Sequence, residues 1–515
     1  MSVDVVVVGG GSAGSIVAAR LSEDPGRSVL LLEAGPGFTD LDSCPTALRS
    51  EYSSAKPEYL WHYLGDEERT AGPPLKVIRG KCLGGSSSVN GMVWMRGLPA
   101  DYDEWQAAEW TNDALAPYFA KLEREIDTVA GEDASTGGMV PISRQPRSEW
   151  GLIQSAFLET AIAAGHTERG RMVVPGAGVG PITRNSFEGV RFNSALAYLC
   201  PALDRSNLTV RCDATVDRLD IVNGKVIGVH YTADSTAEYV SIGEVVLSSG
   251  VIESPHVLML SGIGPAAKLE KAGIDVQCDL PGVGENLTDH PIISLTFNMA
   301  DKTAGTDPRY LVGLVYSTAQ GPDPCDVQVL AQSFSMAAAP EMQAFSGLAG
   351  ERSQGGPGVA LIPVMLYREA SVGSIELNPQ DPAAGPTIRY NYLSADTDRI
   401  RLRESVRMIL DLVGHEPMAS VIDGPFSAPD AAMAADDQKL DAWIAKNLGT
   451  ALHGCGTARI GPSSDTTAVV DPQGRVHGVE GVRVADLAIA RQSPRAGTMV
   501  TAMVIGERIA GFFDA

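Results

Sequence analysis

Basic residues are scarce in this chain: 40 Lys and Arg stand against 63 Asp and Glu, giving a net charge of −23 and an isoelectric point near 4.7. Such a surface repels nucleic acid and anionic lipid, so no nucleic-acid partner is expected. No uninterrupted apolar run reaches the ~18 residues that suggest a membrane span, and no membrane association is expected either. Residues 1–4 lead straight into Val5, Val6, Val7 and Val8, with no basic n-region, no long apolar h-region and no cleavage site. Cysteines are few and scattered (Cys44, Cys82, Cys200, Cys212, Cys278, Cys325, Cys455), with no C-x-x-C pair and no metal-ligand spacing. The expectation is a reduced, cytoplasmic protein without a metal site. Low-complexity blocks and internal repeats are also missing.

What is present is an ordinary globular composition, 44% hydrophobic and 20% charged, able to bury a sizeable core. A length of 515 residues suggests three domains of about 150 residues or two large ones with insertions. Glycine is the outlier: 55 residues, well above the usual share of about 7%. With no glycine period to account for it, the excess points to tight turns and close backbone approaches of the kind nucleotide sites need.

The positions bear on this at once. Asp4 and Val5 to Val8 form a β-branched run expected of a buried parallel strand, which leads directly into Gly9-Gly10-Gly11-Ser12-Ala13-Gly14. Residues 15–21 read as a helix and 28–32 as a second strand ending in Glu33, 19 residues beyond Gly14. Glycines let a backbone approach a pyrophosphate, a helix N-terminus offers N–H groups and positive dipole, and the acid accepts from a ribose hydroxyl. The βαβ unit therefore reads as a dinucleotide site. Glu33 suits NAD and FAD equally.

A second block, Arg79-Gly80-Lys81-Cys82-Leu83-Gly84-Gly85-Ser86-Ser87-Ser88-Val89-Asn90-Gly91, is rich in N–H and O–H donors. Together with Gly250 to Pro255, Leu280 to Leu287, Asp289-His290-Pro291, His453-Gly454-Cys455-Gly456-Thr457 and Gly481 to Asp486, it resembles the glucose–methanol–choline (GMC) oxidoreductases. The matches run in order over nearly the whole chain. The resemblance implies an α/β fold: a Rossmann-like FAD-binding domain with an inserted α+β substrate domain built on an antiparallel sheet. The expected division is 1–150, 199–291 and 446–515 for FAD, and 151–198 and 292–445 for substrate. Residues 375–377 and 387–390 alternate like strands, and 395–413 has helical periodicity. Segments 131–138 and 346–358 read as mobile loops near the substrate entrance or domain edges.

Carried over residue by residue, the resemblance puts Gly9, Gly11, Ser12 and Gly14 at the FAD pyrophosphate and Glu33 at the adenosine ribose. It puts Arg79, Gly84, Ser86, Asn90 and Thr498 along the flavin or pyrophosphate, Val216 against the adenine, and Asp486 near the pyrophosphate and ribityl chain. In some relatives a histidine two residues before the equivalent of Arg79 is joined to the flavin; here that residue is Val77, so the FAD is expected to be noncovalent. His453 is implied as the active-site histidine, a base for an alcohol whose carbinol carbon gives hydride to flavin N5. The partners implied are a small-molecule alcohol and an electron acceptor, either O2 or an organic or protein acceptor. Cys455 reads as a small buried residue, and His290 as a loop-shaping one.

Relatives pair that histidine with a second His or Asn near the C-terminus. Counting 11 residues on from Asp486 and 10 back from Glu507 both reach Gly497, and no His or Asn lies between 493 and 501. Glycine removes a hydrogen bond of about 1–3 kcal/mol at the developing alkoxide. Three readings stay open. Arg495, Thr498 or a backbone N–H replaces the partner while the gap admits a bulkier substrate; or the scaffold serves lyase-like or photodecarboxylase-like chemistry; or the protein is a non-catalytic flavin-binding sensor.

Overall fold

The computed structural model describes residues 2–53, 55–66, 71–127, 135–174, 176–301, 304–321, 323–335 and 358–513. Of the two expected loops, 131–138 lies partly outside these residues. The other, 346–358, lies outside them except for Gly358, which opens a strand instead of closing a loop.

Strand Ser2–Val8 is apolar because both its faces are covered. It pairs in parallel with Val29–Leu32 on one side and Thr236–Leu247 on the other. Leu208–Arg211 and Val482–Val484 extend the parallel region, and Lys225–Ala233 with Ala214–Val222 continue it as an antiparallel ribbon. The result is a seven-stranded sheet assembled from distant parts of the sequence. Helix Gly14–Leu21 leaves the first strand as expected, and it packs against helix Met499–Ala510. Gly14 makes that exit possible: a Cβ there would lie 1.9 Å from the Gly9 carbonyl oxygen.

A second seven-stranded sheet is antiparallel throughout, in the order Ile422–Pro425, Pro291–Met299, Gly358–Leu366, Val327–Ser335, Val312–Tyr316, Gly178–Pro181, with Leu448–Thr450 also on Pro291–Met299. Successive strand residues point to opposite faces. Ile293, Leu295, Val329, Ile362 and Val364 therefore join helices Leu152–Ala163, Asp396–Val413 and Asp437–Asn447 in one core. Their neighbours Ile292, Leu330 and Met365 belong to a separate cluster on the other face. The helix expected at 395–413 is Asp396–Val413.

One part of the chain departs from the expected division. Strands Ser374–Glu376 and Thr387–Arg389 form as read, but they join Leu60–Gly65 and Leu75–Gly80 in a four-stranded sheet. Ile375, Leu377, Ile388 and Tyr390 pack in the core of the parallel sheet, not in that of the antiparallel one. Alternation in sequence reports a half-buried strand but not which layer it covers. Among the described residues no helix is long and apolar enough to cross a membrane.

Buried charge ties helix Asp396–Val413 to the sheet. Arg401 Nε donates to Asp326 Oδ2 at 2.9 Å, its Nη1 lies 3.5 Å from Asp398 Oδ1, and all three side chains are buried. Removing one partner strands a charge in a dry interior. Arg401→Ala is therefore expected to destabilise the protein by about 3–5 kcal/mol, read as a lowered urea midpoint at unchanged m-value.

Candidate active site

Two adjoining cavities run between the sheets. The first follows the glycine turn and the end of the second strand, and its wall includes Gly9, Gly11, Ser12, Glu33, Val216 and Asp486. The second holds Asn90, His453, Gly497 and Thr498. Ser12, Arg79 and Ser86 line both.

The first cavity owes its shape to backbone meeting backbone. Gly84 N donates to Gly10 O at 2.7 Å, and a Cβ on Gly85 would lie 2.6 Å from the Gly11 Cα, at a φ of +52°. Any larger residue would drive the two turns apart. Gly14 and Gly84 are thus packing residues that shape the wall without lining it. Gly11 faces open space, where a Cβ would meet nothing nearer than 3.9 Å. Glu33 accepts from Gly10 N at 2.8 Å and Gly35 N at 2.9 Å, and burial pushes its carboxyl up to about 7. Asp486 accepts from Gly250 N (2.9 Å), Ser254 Oγ (2.5 Å) and Ala488 N (2.8 Å), fixing the start of helix Gly250–Leu260 beside the cavity. A donor-rich glycine turn at a helix N-terminus, a carboxyl at the neighbouring strand end and an apolar wall at Val216 fit a dinucleotide. The continuous second cavity gives the room that a flavin ring would need beyond it.

His453 stands in the second cavity on a tightly specified loop. Segments 288–290 and 450–455 run side by side: Thr288 N donates to Cys455 O at 3.0 Å, Cys455 N to Thr288 O at 2.8 Å, and Ala451 N to His290 O at 3.0 Å. Asp289, buried between them, accepts from His453 N at 2.6 Å, from Tyr392 O–H at 2.5 Å and from Thr450 O–H. Burial pushes its carboxyl up to about 6. Leu452 holds a left-handed φ of +63° next to the histidine, a strained conformation for a branched residue. Its carbonyl accepts from Arg79 Nη1 at 2.6 Å and its N–H donates to Thr450 Oγ1 at 2.8 Å. The strain is held by those bonds, and it aims the imidazole into the cavity.

The ring edge of His453 faces Gly497. A Cβ built on Gly497 would meet only His453 Cε1 and Nε2, both at 3.9 Å. Position 497 is therefore the place opposite the histidine that two counts along the sequence select, and it is open. Arg495 is a correction. Its guanidinium points away from both cavities, with Nε on Asp101 Oδ1 at 2.7 Å and Nη1 on the Pro324 carbonyl at 3.2 Å. Asp101 also accepts from Arg495 N at 2.8 Å and from Leu98 N at 2.8 Å. The arginine anchors the 493–498 turn; neither an alkoxide nor a substrate carboxylate in the cavity meets it.

His290 is more than a loop former. It is buried, and its Nδ1 lies 2.9 Å from His453 Nδ1, so the two rings share one proton there. Burial, then the positive field of Arg79, lowers His453 to about 4; burial, then His453, hold His290 well below its usual value. Both imidazoles are neutral near pH 7. Sequence reading gave His290 a loop-shaping role alone, because a contact across 163 residues leaves no local signal. Gln328, on strand Val327–Ser335, is another cavity residue not anticipated; Gln332, Ser333 and Ser335 on the same strand left it no distinguishing mark in the sequence. Cys455 is buried, as read, and burial pushes its thiol far up, so it is inert.

A class follows from this geometry: a flavin-type dinucleotide fold whose second cavity presents an imidazole. Residues 3–292 match the N-terminal and 369–506 the C-terminal family model of GMC oxidoreductases. The chain belongs to the GMC oxidoreductase family, and it is an FAD-dependent oxidoreductase acting on CH–OH groups. It is 33% identical over 511 residues to an uncharacterized GMC-type oxidoreductase of Rhodococcus erythropolis, covering 98% of this chain and 97% of that protein. It is 34% identical over 515 residues to an oxygen-dependent choline dehydrogenase of Rhizobium etli, covering 95% and 91%. Among solved structures it resembles pyridoxine 4-oxidase from "Mesorbium loti", with a TM-score of 0.86, 27% identity and 99% of each chain covered.

One buried acid behind the histidine loop is testable by pH. Burial, helped by the Asp289 carboxylate, pushes Glu369 up to about 8 from an ordinary 4.5. The native state then holds a proton that the unfolded chain has released, so stability falls as pH rises from about 4.5 to 8 and levels above that. Glu369→Gln removes this contribution. Across that window the variant is expected to gain about 3–5 kcal/mol relative to wild type, measured by denaturant unfolding at stepped pH.

Proposed function

We propose that this protein binds FAD noncovalently and oxidises an alcohol to an aldehyde or ketone, with His453 as the general base. The observation that carries the reading is the 2.9 Å contact between the Nδ1 atoms of His453 and His290, with the far edge of the His453 ring turned to the open space at Gly497. Only one proton fits between the two Nδ1 atoms, and in this reading His290 Nδ1 is the acceptor. His453 then donates through Nδ1 and keeps the Nε2 lone pair for the cavity. A neutral imidazole with a fixed tautomer is what proton abstraction from a hydroxyl requires.

Bound FAD supplies the acceptor for the hydride that leaves the carbinol carbon. Gly9, Gly11 and Ser12 would hold its pyrophosphate at the start of helix Gly14–Leu21, and Glu33 its ribose. Ser86, Asn90, Thr498 and Arg79 would border the flavin, with Val216 against the adenine and Asp486 near the pyrophosphate. Val77 offers no nucleophile at the position where some relatives carry a flavin-linked histidine. Once His453 has taken the proton, Asp289 and Arg79 keep its loop from shifting. The anchoring of Arg495 by Asp101 leaves the second hydrogen bond to the substrate oxygen to Thr498 or a backbone N–H.

His453→Ala is expected to slow anaerobic flavin reduction at least ~100-fold while FAD stays bound, followed by stopped-flow absorbance with the alcohol that reduces the wild type. Unchanged reduction would remove His453 from the mechanism. The His453 limb of the wild-type profile is expected near pH 4, where the base becomes protonated, and a separate limb near pH 6 is expected from the Asp289 carboxyl that anchors its loop. A limb near the ordinary histidine value that persists in Asp289→Asn would contradict the site described.

A further inference from the structure

The wall of the second cavity opposite the glycine turns comes from one face of the antiparallel sheet. Met365 pairs with Ile292 on one neighbouring strand and with Gln328 on the other, so these three side chains stand in a row across the sheet. Leu330, Pro363 and Tyr310 complete the patch. The polar groups in this patch are engaged with protein: Gln328 Oε1 accepts from Tyr367 O–H at 2.5 Å, its Nε2 lies 3.1 Å from Met95 Sδ, and Tyr310 O–H accepts from Gln332 Nε2 at 3.2 Å.

Charge in the cavity is of one sign. Arg79 is its cation, and among the described wall residues there is no Asp or Glu. Tyr310 is the one Phe, Tyr or Trp ring among them, too few for an aromatic cage. A quaternary ammonium seated here would lose its water without a wall carboxylate to replace it, since Asp289 behind the His453 loop is spent on three protein donors, and would feel the guanidinium as well. Opposite His453 the space at Gly497 is clear of other side chains to 3.9 Å. A substituent beside the reacting carbon therefore has room where relatives carry an imidazole or amide.

We propose that the substrate is an uncharged, apolar alcohol with a branched or ring substituent next to its carbinol carbon, and that the pocket rejects ammonium alcohols. The Rhizobium etli relative is named for choline; the described wall of this pocket offers a quaternary ammonium no carboxylate. The inference rests on the alcohol-oxidation reading above and is tested so that the two can fail separately.

The decisive pair is choline and 3,3-dimethylbutan-1-ol, which share a shape and differ by the charge. Holoprotein is mixed anaerobically with each, and with cyclohexylmethanol, and both the rate of flavin bleaching and the dissociation constant from the perturbed flavin spectrum are recorded. The neutral isostere is expected to exceed choline at least 100-fold in kcat/KM and at least 10-fold in affinity. In Ile292→Glu, which puts a carboxylate in the wall, that preference should shrink at least 10-fold. Gly497→Val should lose cyclohexylmethanol while retaining smaller primary alcohols.

Choline reducing the flavin as well as its isostere would overturn the proposed substrate class and leave alcohol oxidation standing. A flavin that no alcohol bleaches would overturn alcohol oxidation. In that case the affinities still judge the pocket: choline binding as tightly as the isostere overturns its assignment, and the isostere binding more tightly upholds it. If the Ile292 variant does not fold, the wild-type pair alone decides the charge preference.

Discussion

The geometry around His453 hangs on one buried carboxylate. Asp289 belongs to the turn that opens strand Pro291–Met299, yet its hydrogen bonds reach the loop that carries His453 and, through Tyr392, the segment beyond the four-stranded sheet. A carboxylate in a dry interior is tolerable only when its lone pairs are satisfied. Here the three donors that satisfy it are the groups whose positions must be held. The demand runs both ways: the loop needs an anchor because Leu452 is strained, and the anchor needs the loop because burial penalises its charge.

That coupling explains how a histidine on a connecting segment is as well fixed as one on a helix. The backbone of 450–455 is zipped to 288–290, the His453 N–H is tied to Asp289, and the ring is tied to His290. The backbone and one ring nitrogen of His453 are thus both anchored. Arg79 contributes twice, by bonding the Leu452 carbonyl and by its positive field, which adds to the larger effect of burial in keeping the imidazole unprotonated.

Parts of the molecule that local chemistry dictates were readable from sequence. The β-branched run, the glycines and Glu33 specify a βαβ unit because each residue answers a constraint only a few residues away. His453 was readable only through a motif, as was the opening at Gly497. The function of His290 was hidden, since its partner is distant in sequence, and Arg495 was misplaced because sequence shows a charge but not the buried Asp101 that claims it. Strands at 374–376 and 387–389 were legible as strands and not as members of the first layer. Alternation reports exposure on one side, whereas layer membership is decided by what the rest of the chain leaves uncovered.

The two walls of the site differ in how freely they can change. On the cofactor side the surface is backbone, with turns so close that a single Cβ at Gly85 would separate them. On the substrate side it is every second residue of a sheet whose other face is locked against helices. The pleat separates these tasks: Ile293 and Val364 pack against the helices, while their chain neighbours Ile292 and Met365 meet the cavity. Positions 292, 328 and 365 therefore face the cavity from a sheet whose opposite face is packed on helices. The absence of carboxylate from that described wall, in a chain with 63 acidic residues, is on this view a property of the pocket and not of the composition.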